Sequence, residues 1–158
     1  MISDTKVVAI GGGTGLSTML KGLKLHTHNI TAVVTVADDG GSSGILRSDL
    51  GMLAPGDVRN CVSALAEVDP VMGELLNFRF KDGSLKGHSL GNLFLAALNE
   101  TSSSFDEAVK KFSHLAGVVG TVYPVTNESV TLSALLEDGR LGVHLTEQVD
   151  VHSVVDGN

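Results

Sequence analysis

The chain has 158 residues, a length that suits one domain able to bury most of its apolar surface. Its net charge of −7 and its aromatic content of 4% exclude the basic footprint and the stacking platforms of a typical nucleic-acid-binding protein. The single cysteine, Cys61, excludes an internal disulfide, and no apolar run is long enough for a membrane span. The first residues lack the pattern of a signal peptide, so we expect a cytoplasmic protein.

The first predicted unit is a strand, a glycine-rich turn and a helix. Residues 6–10 are typical of a buried strand, and an amphipathic helix is predicted over 16–25. Glycines at a helix N-terminus leave backbone N–H groups free for an anion, whereas the alternative is a purely structural tight turn. The candidate phosphate-binding residues here are Gly12, Gly13, Thr14 and Gly15.

The spacing of these glycines argues against two familiar nucleotide sites. Leu16 stands where the third glycine of G-x-G-x-x-G is required, so we expect no NAD. The chain also lacks the P-loop pattern G-x-x-x-x-G-K-[ST], which argues against a P-loop ATPase.

The second predicted strand, over residues 31–37, has the β-branched character of a strand covered on both faces. Ligands gather at the carboxyl ends of such strands, and a flexible solvated loop is the alternative for the small residues that follow. Asp38 and Asp39 are the candidate catalytic residues, and Asp39 is also a candidate Mg²⁺ ligand. The candidate ligand-binding residues of this run are Asp38, Asp39, Gly40, Gly41, Ser42 and Ser43.

Residues 45–54 are predicted to be irregular or a short helical turn, and Asp57 then caps a helix that runs to residue 66. Arg59 and Asn60 lie in the first turn of that helix and join the candidate ligand-binding residues. A cation opposes the dipole at this end of a helix, so we expect Arg59 to pair with an acidic side chain or a ligand phosphate. The alternative is a solvated surface charge.

Another helix begins at Asp69 and Pro70 and extends to about residue 80. Residues 87–92 then lead into an apolar helix over 93–98 and form a second wall of the site, with candidate ligand-binding residues His88, Ser89 and Asn92. His88 could serve as a neutral hydrogen-bonding group, as a cationic phosphate contact or as a general acid. The structural alternative is a histidine that caps the helix or anchors the loop.

The last third of the chain is predicted to be scaffold. Ser104 and Glu107 match a capping box that opens a helix to about residue 115, and a strand follows over 118–125. Alternating apolar residues on either side of the turn signal Asp138-Gly139 predict an antiparallel β-hairpin.

Four motifs, over residues 11–17, 37–44, 55–60 and 87–93, together resemble the 2-phospho-L-lactate transferase-like superfamily. The run from Gly40 to Gly44 and the stretch from Pro55 to Asn60 are more similar to its gluconeogenesis factor branch than to its transferase branch. The resemblance implies a bacterial cytoplasmic protein that binds a UDP-sugar such as UDP-N-acetylglucosamine and influences carbon metabolism and cell shape. Family members are longer, so the resemblance also implies that this chain is an N-terminal portion.

These observations predict a three-layer α/β domain with a Rossmann-like, mostly parallel sheet and an added antiparallel hairpin. Residues 1–158 are expected to form a single nucleotide-sugar-binding domain with its site at the carboxyl edge of the sheet. The resemblance to the gluconeogenesis factor branch implies sensing rather than catalysis. The alternative is a Mg²⁺-dependent transferase that moves a phosphoryl-linked group from a nucleotide-activated donor. The oligomeric state stays open, and a homo-oligomer is compatible with the sequence.

Overall fold

The computed structural model describes residues 3–135 and 141–142. In chain order the elements are β1 (Val7–Gly11), α1 (Gly13–Leu23), β2 (Ile30–Val34), α2 (Gly41–Leu50), α3 (Gly56–Leu65), α4 (Pro70–Asn77), α5 (Leu90–Glu100), α6 (Phe105–Leu115), β3 (Thr121–Pro124), β4 (Ala134–Leu135) and β5 (Leu141–Gly142). None of the helices in this part of the chain is long and apolar enough to cross a membrane.

Three strands form a parallel sheet in the order β1-β2-β3. Val7 is paired with Ile30 and Gly11 with Val34, so β1 and β2 end level with each other. The crossover through α1 supplies the long connection that two parallel neighbours need. The α/β class and the parallel sheet predicted from the sequence are confirmed.

One face of the sheet lies against the helices. Ala9, Ala32, Val34 and Val122, which alternate with outward residues along the strands, are at most 5% exposed and belong to the core. Helix α3 lies at the centre of the helical layer and packs against α1, α4, α5 and α6 as well as β2 and β3. Its burial on several sides follows from its position between the sheet and its neighbouring helices.

The opposite face of the sheet is open among the described residues. Val8, Ile10 and Tyr123 point to this side and are 65%, 75% and 41% exposed. The sequence indicated strands covered on both faces, because β-branched apolar residues occupy outward and inward positions alike. The described residues supply a sheet and one helical layer, so the third layer stays a prediction.

Helix α2 corrects one expectation. Residues 45–54 were expected to be irregular or a short helical turn, but the chain is helical from Gly41 to Leu50 and irregular only over residues 51–54. Glycine and serine lower helix propensity, yet here they occupy the first turn, and the buried Leu46 anchors the helix in the core. Gly51 ends the helix with a φ of 65°, a left-handed conformation suited to glycine.

Two predicted helix starts are present, with one difference in detail. Asp69 caps α4 by accepting a hydrogen bond from the Val71 N–H at 2.9 Å, as expected. Ser104 precedes α6, but the capping box is wrong: Glu107 accepts from the backbone N–H of Ser103, not of Ser104. The Ser104 hydroxyl donates to Asp106 Oδ1 and makes no capping hydrogen bond to α6.

Two short segments pair beyond the parallel sheet. Ala134–Leu135 is antiparallel to Leu141–Gly142, with Leu135 opposite Leu141. The predicted turn at Asp138-Gly139 lies outside the described residues. The hairpin as a whole therefore stays a prediction.

Candidate functional site

The glycine turn between β1 and α1 lies beside the end of β2. A Cβ atom on Gly12 would collide with the Thr35 side chain and lie 2.6 Å from Asp57 Oδ2, so only glycine fits there. Gly13 opens α1 with a φ of 63°, a backbone conformation that residues with side chains rarely adopt. Gly13, Thr14 and Gly15 are exposed, which leaves the N-terminus of α1 accessible to a ligand.

Asp38 and Asp39 follow β2 and are both half-buried. Asp38 Oδ1 accepts a hydrogen bond from the Gly40 N–H at 3.0 Å, so this carboxylate holds the start of α2. Gly44 approaches the carbonyl of Asp39 so closely that a Cβ atom would collide with it. The Asp38–Gly44 run is therefore a tight turn into a helix, not the open loop that is the alternative interpretation of its composition.

Ser43 connects α2 to the beginning of α3. Its hydroxyl oxygen accepts a hydrogen bond from the Gly56 N–H at 3.2 Å, and both residues are buried. A Cβ atom on Gly56 would collide with this hydroxyl and lie 3.2 Å from Asp38 Oδ2. The Pro55-Gly56 pair thus permits the close contact between the two helix starts.

Asp57 has a role at the site that the sequence analysis missed. Pro55 occupies the cap position of α3 and Asp57 lies within the first turn, so the predicted cap is wrong. Burial raises the pKa of Asp57, a hydrogen bond from the Gly13 backbone lowers it, and the nearby Asp38 charge raises it further. The carboxylate therefore lies between the glycine turn and Asp38, a placement that only the packing of α1 on α3 reveals.

A buried polar cluster joins α2 to α5. Ser42 Oγ lies 2.9 Å from His88 Nδ1 and accepts a hydrogen bond from Asn92 Nδ2 at 3.1 Å. Ser89 caps α5 and accepts from the Asn92 N–H at 3.2 Å. All four side chains are less than 9% exposed. Two residues predicted in the second wall, His88 and Asn92, thus contact Ser42 in the serine run of the first wall, and Ser89 holds the backbone of Asn92.

Arg59 is buried, with 7% of its surface exposed. Its Nε donates to Asn92 Oδ1 at 3.3 Å and its Nη1 donates to Asn77 Oδ1 at 3.0 Å. The alternative of a solvated surface charge is wrong, and both described hydrogen bonds go to neutral amides rather than to the acidic side chain that we expected. Burial lowers the pKa of Arg59, as does the Arg79 charge, while Asp57 raises it. Asn60 is half-buried in the same turn of the helix.

These contacts bring the N-termini of α1, α2, α3 and α5 together. Gly13 is joined to Asp57, Ser43 to Gly56, and Ser42 to Asn92, each pair linking the first turns of two helices. Each helix N-terminus carries about half a positive charge, and the first turns of α1, α2 and α5 hold no acidic residue. In a chain of net charge −7, this local concentration of N–H groups favours an anion.

The acidic residues near the four helix N-termini supply only some of the ligands that Mg²⁺ needs. No group of three or more His, Cys, Asp or Glu side chains suited to a metal occurs in the part of the chain that the structure describes. Mg²⁺ in phosphate sites is held by one or two carboxylates, with phosphate oxygens and water as its other ligands. Asp38, whose charge helps to raise the pKa of Asp57, fits that role with Asp57 and a phosphate-containing ligand.

Cys61 takes no part in this chemistry. It is fully buried on α3, and burial raises the pKa of its thiol to about 12. A thiol with so high a pKa is a poor nucleophile at neutral pH, in agreement with its interpretation as a small buried hydrophobe.

Comparison with known proteins places the chain in a family. Residues 7–156 match the family model described as "2-phospho-L-lactate transferase CofD". A protein of Thermoanaerobacterium thermosulfurigenes is 64% identical over 138 residues, which are 87% of this chain and 43% of that protein. The "Gluconeogenesis factor" of Bacillus subtilis is 51% identical over 137 residues, which are 86% of this chain and 43% of that protein.

A solved structure agrees with these similarities. The crystal structure of a Bacillus halodurans protein superimposes with a TM-score of 0.84 at 47% identity, over 88% of this chain and 45% of that one. The chain thus spans less than half the length of the relatives that it matches. Because the family model covers nearly all of the sequence, the chain belongs to the 2-phospho-L-lactate transferase CofD family.

Proposed function

We propose that this protein is a cytoplasmic UDP-sugar-binding regulator of the gluconeogenesis factor type, with effects on carbon metabolism and cell shape. The observation that carries the proposal is the meeting of four helix N-termini beside the carboxyl ends of β1 and β2. Ligands of open α/β sheets bind at that edge. The name "Gluconeogenesis factor" of the Bacillus subtilis relative supports the regulatory part of the proposal.

In this proposal the diphosphate of the ligand binds to backbone N–H groups. The exposed turn of Gly13, Thr14 and Gly15 supplies one set, and the first turn of α2 supplies the other. An anionic oxygen already interacts with this turn, since the Asp57 carboxylate accepts a hydrogen bond from the Gly13 backbone. A phosphate group, with more oxygens and more charge, suits the same environment.

The hydroxyl groups of the ribose or of the sugar are assigned to the carboxylates that follow β2. Asp39 is our candidate for direct contact or for contact through Mg²⁺, as expected from the family resemblance, and Asp38 Oδ1 accepts a hydrogen bond from the Gly40 N–H. The ion, where bound, would neutralise charge on the diphosphate. Asp38 and Asp57 would be the further carboxylates that hold the ion.

Isothermal titration calorimetry of the full-length protein tests the proposal. We expect measurable heat of binding with UDP-N-acetylglucosamine, weaker binding with UDP, and none with NAD, because the dinucleotide glycine spacing is missing. A variant with Gly13→Val should lose this binding, and Gly22→Val, on the solvent side of the same helix, should retain it. Tight binding of NAD without heat from UDP-N-acetylglucosamine would contradict the proposal.

A transferase that acts on a nucleotide-activated donor is the second candidate function. It is favoured by the name of the matching family model and by two carboxylates, Asp38 and Asp57, that lie close together beside the glycine turn. One carboxylate with Mg²⁺ would orient a phosphoryl-linked group, and a carboxylate would assist deprotonation of an acceptor hydroxyl. Incubation of radiolabelled UDP-N-acetylglucosamine with Mg²⁺ and a panel of acceptors separates the two: unchanged ligand favours the regulator, and a labelled product favours the transferase.

A further inference from the structure

The hydrogen bonds of the polar cluster between α2, α3 and α5 follow one order of donors and acceptors, and Arg59 fixes that order. A guanidinium group only donates hydrogen bonds, so the Asn92 atom that faces Arg59 Nε at 3.3 Å must be the carbonyl oxygen. The amide of Asn92 is therefore fixed with its NH₂ group on the other side. That group donates to Ser42 Oγ at 3.1 Å.

The hydroxyl of Ser42 continues the chain to His88. Ser42 is 7% exposed, and its oxygen accepts from Asn92, so its own proton needs an acceptor inside the protein. His88 Nδ1, at 2.9 Å, is the other group to which the Ser42 hydroxyl is hydrogen-bonded. If Nδ1 carried the proton instead, the Ser42 oxygen would accept twice and its own proton would have no acceptor within the cluster.

We propose that Arg59 is a positioning residue that acts through Asn92 and Ser42 to hold His88 in the tautomer with its proton on Nε2. In this arrangement every hydrogen bond of the cluster has one donor and one acceptor. His88 Nε2 takes part in none of these bonds, so its N–H is the group that the ring offers to a ligand oxygen. The ligand in question rests on the proposed function, but the tautomer is a property of the free protein.

This role also explains why a buried arginine donates to amides. Arg59 donates to Asn92 and Asn77, and a carboxylate in place of Asn92 would disturb the order of donors and acceptors. A carboxylate has no N–H group, so it would accept the Ser42 proton and leave the Ser42 oxygen as an acceptor for His88 Nδ1–H. Replacement of a single amide by an acid should therefore invert the tautomer.

Nitrogen NMR of the ligand-free, full-length protein with ¹⁵N-labelled histidine tests the inference directly, since the two ring nitrogens have distinct shifts when protonated and unprotonated. We expect His88 in the wild type to show a protonated Nε2 and an unprotonated Nδ1. A wild-type spectrum with the proton on Nδ1 would overturn the inference. The measurement needs no ligand, so it is independent of whether the protein binds a UDP-sugar.

Two variants with the same chemical change provide the comparison. Asn92→Asp should move the proton to Nδ1 of His88. Asn77→Asp also places a carboxylate against Arg59, but the described hydrogen bonds of residue 77 go to Arg59 and Gly73 rather than to Ser42, so the Nε2–H tautomer should persist. An unchanged His88 tautomer in Asn92→Asp, or the same inversion in both variants, would contradict the proposed order of donors and acceptors.

A third variant covers the case in which Asn92→Asp does not fold. Ser42→Ala removes the donor to Nδ1 while it adds no charge, so the two tautomers should become mixed and both ring nitrogens should shift toward averaged values. A His88 spectrum identical to the wild type in Ser42→Ala would show that Ser42 does not set the tautomer, and the inference would fail.

Discussion

Asp57 lies in the first turn of α3, but its carboxylate serves the neighbouring helix α1 and does not cap α3. Its carboxylate accepts from the Gly13 backbone across the gap between α1 and α3, and burial is the main reason that its pKa is raised. Because the folded state holds the Asp57 proton more tightly than the unfolded state, ionisation of this group costs stability. That cost is absent below the unfolded pKa of about 3.9 and complete above the folded pKa.

Asp57→Asn should therefore raise the Tm at pH 7, because asparagine keeps an oxygen acceptor for Gly13 without the buried charge. Near pH 3 the two proteins should melt at similar temperatures, since Asp57 is then protonated in both folded and unfolded states. Thermal melts followed by circular dichroism at the two pH values provide the measurement. Asp49→Asn, on the exposed end of α2, is the matched control and should change neither Tm by much. A lower Tm of Asp57→Asn at pH 7 would show that the charge stabilises the fold.

Asp38 and Asp39 should respond differently to the same substitution. Asp38→Asn weakens a charge-assisted bond to the Gly40 N–H, so we expect a loss of about 0.5–1.5 kcal/mol in the free energy of unfolding. Asp39→Asn should reduce UDP-sugar affinity by about 1–3 kcal/mol, because Asp39 is the proposed ligand contact. Chemical denaturation and calorimetry measure the two effects. Equal losses of affinity at unchanged stability would show that the two carboxylates act as one unit.

At the scale of elements, α5 packs so closely on its neighbours that one residue has no room for a side chain. A Cβ atom on Gly91 would lie 2.5 Å from the Leu76 carbonyl oxygen of α4 and 2.9 Å from two side-chain carbons of Arg59. The backbone oxygen cannot move without α4, so the contact fixes the distance between the helices. The same contact also keeps the Arg59 stem in place.

Gly91→Ala should therefore destabilise the fold by about 1–3 kcal/mol, the usual cost of overpacking. It should also displace Arg59 from Asn92, which the His88 spectrum described above would report. Gly22→Ala in α1 is the control: nothing lies within 4 Å of the new Cβ atom, and we expect a gain of about 0.5–1 kcal/mol from helix propensity. Urea denaturation of both variants measures the difference, and a neutral Gly91→Ala would mean that α4 and α5 separate easily.

For the whole molecule, the main asymmetry lies between the two faces of the parallel sheet. The helical side holds the core, while Val8 and Ile10 on the other side are 65% and 75% exposed. Burial of apolar area determines how much a substitution costs, so the two sides should respond differently.

Ile10→Ala in the chain of 158 residues should change the free energy of unfolding by no more than about 0.5 kcal/mol. Leu65→Ala, at a fully buried position of α3, should cost about 2–5 kcal/mol. Equilibrium denaturation of both variants compares the faces. A cost for Ile10→Ala similar to that for Leu65→Ala would mean that another segment covers the open face.

Several features follow from local sequence. The strand, glycine turn and helix at residues 6–23, the Asp69 cap and the polar start of α5 are visible because hydrophobic period and cap chemistry involve neighbours in the chain. The resemblance of four motifs also predicted the family, which the comparisons confirm. Whether the predicted residues bind the expected ligand stays a prediction.

The tertiary structure alone decided which of these residues touch. Asp57 was assigned to a cap and Arg59 to an acidic or phosphate partner, yet packing places one against the Gly13 backbone and the other between two amides. Helix α2 was missed because its glycines and serines disfavour an isolated helix, whereas burial of Leu46 and the contact of Ser43 with Gly56 compensate for that cost. Local sequence determines periodicity, caps and turns, but long-range contacts select among the partners that each polar group could take.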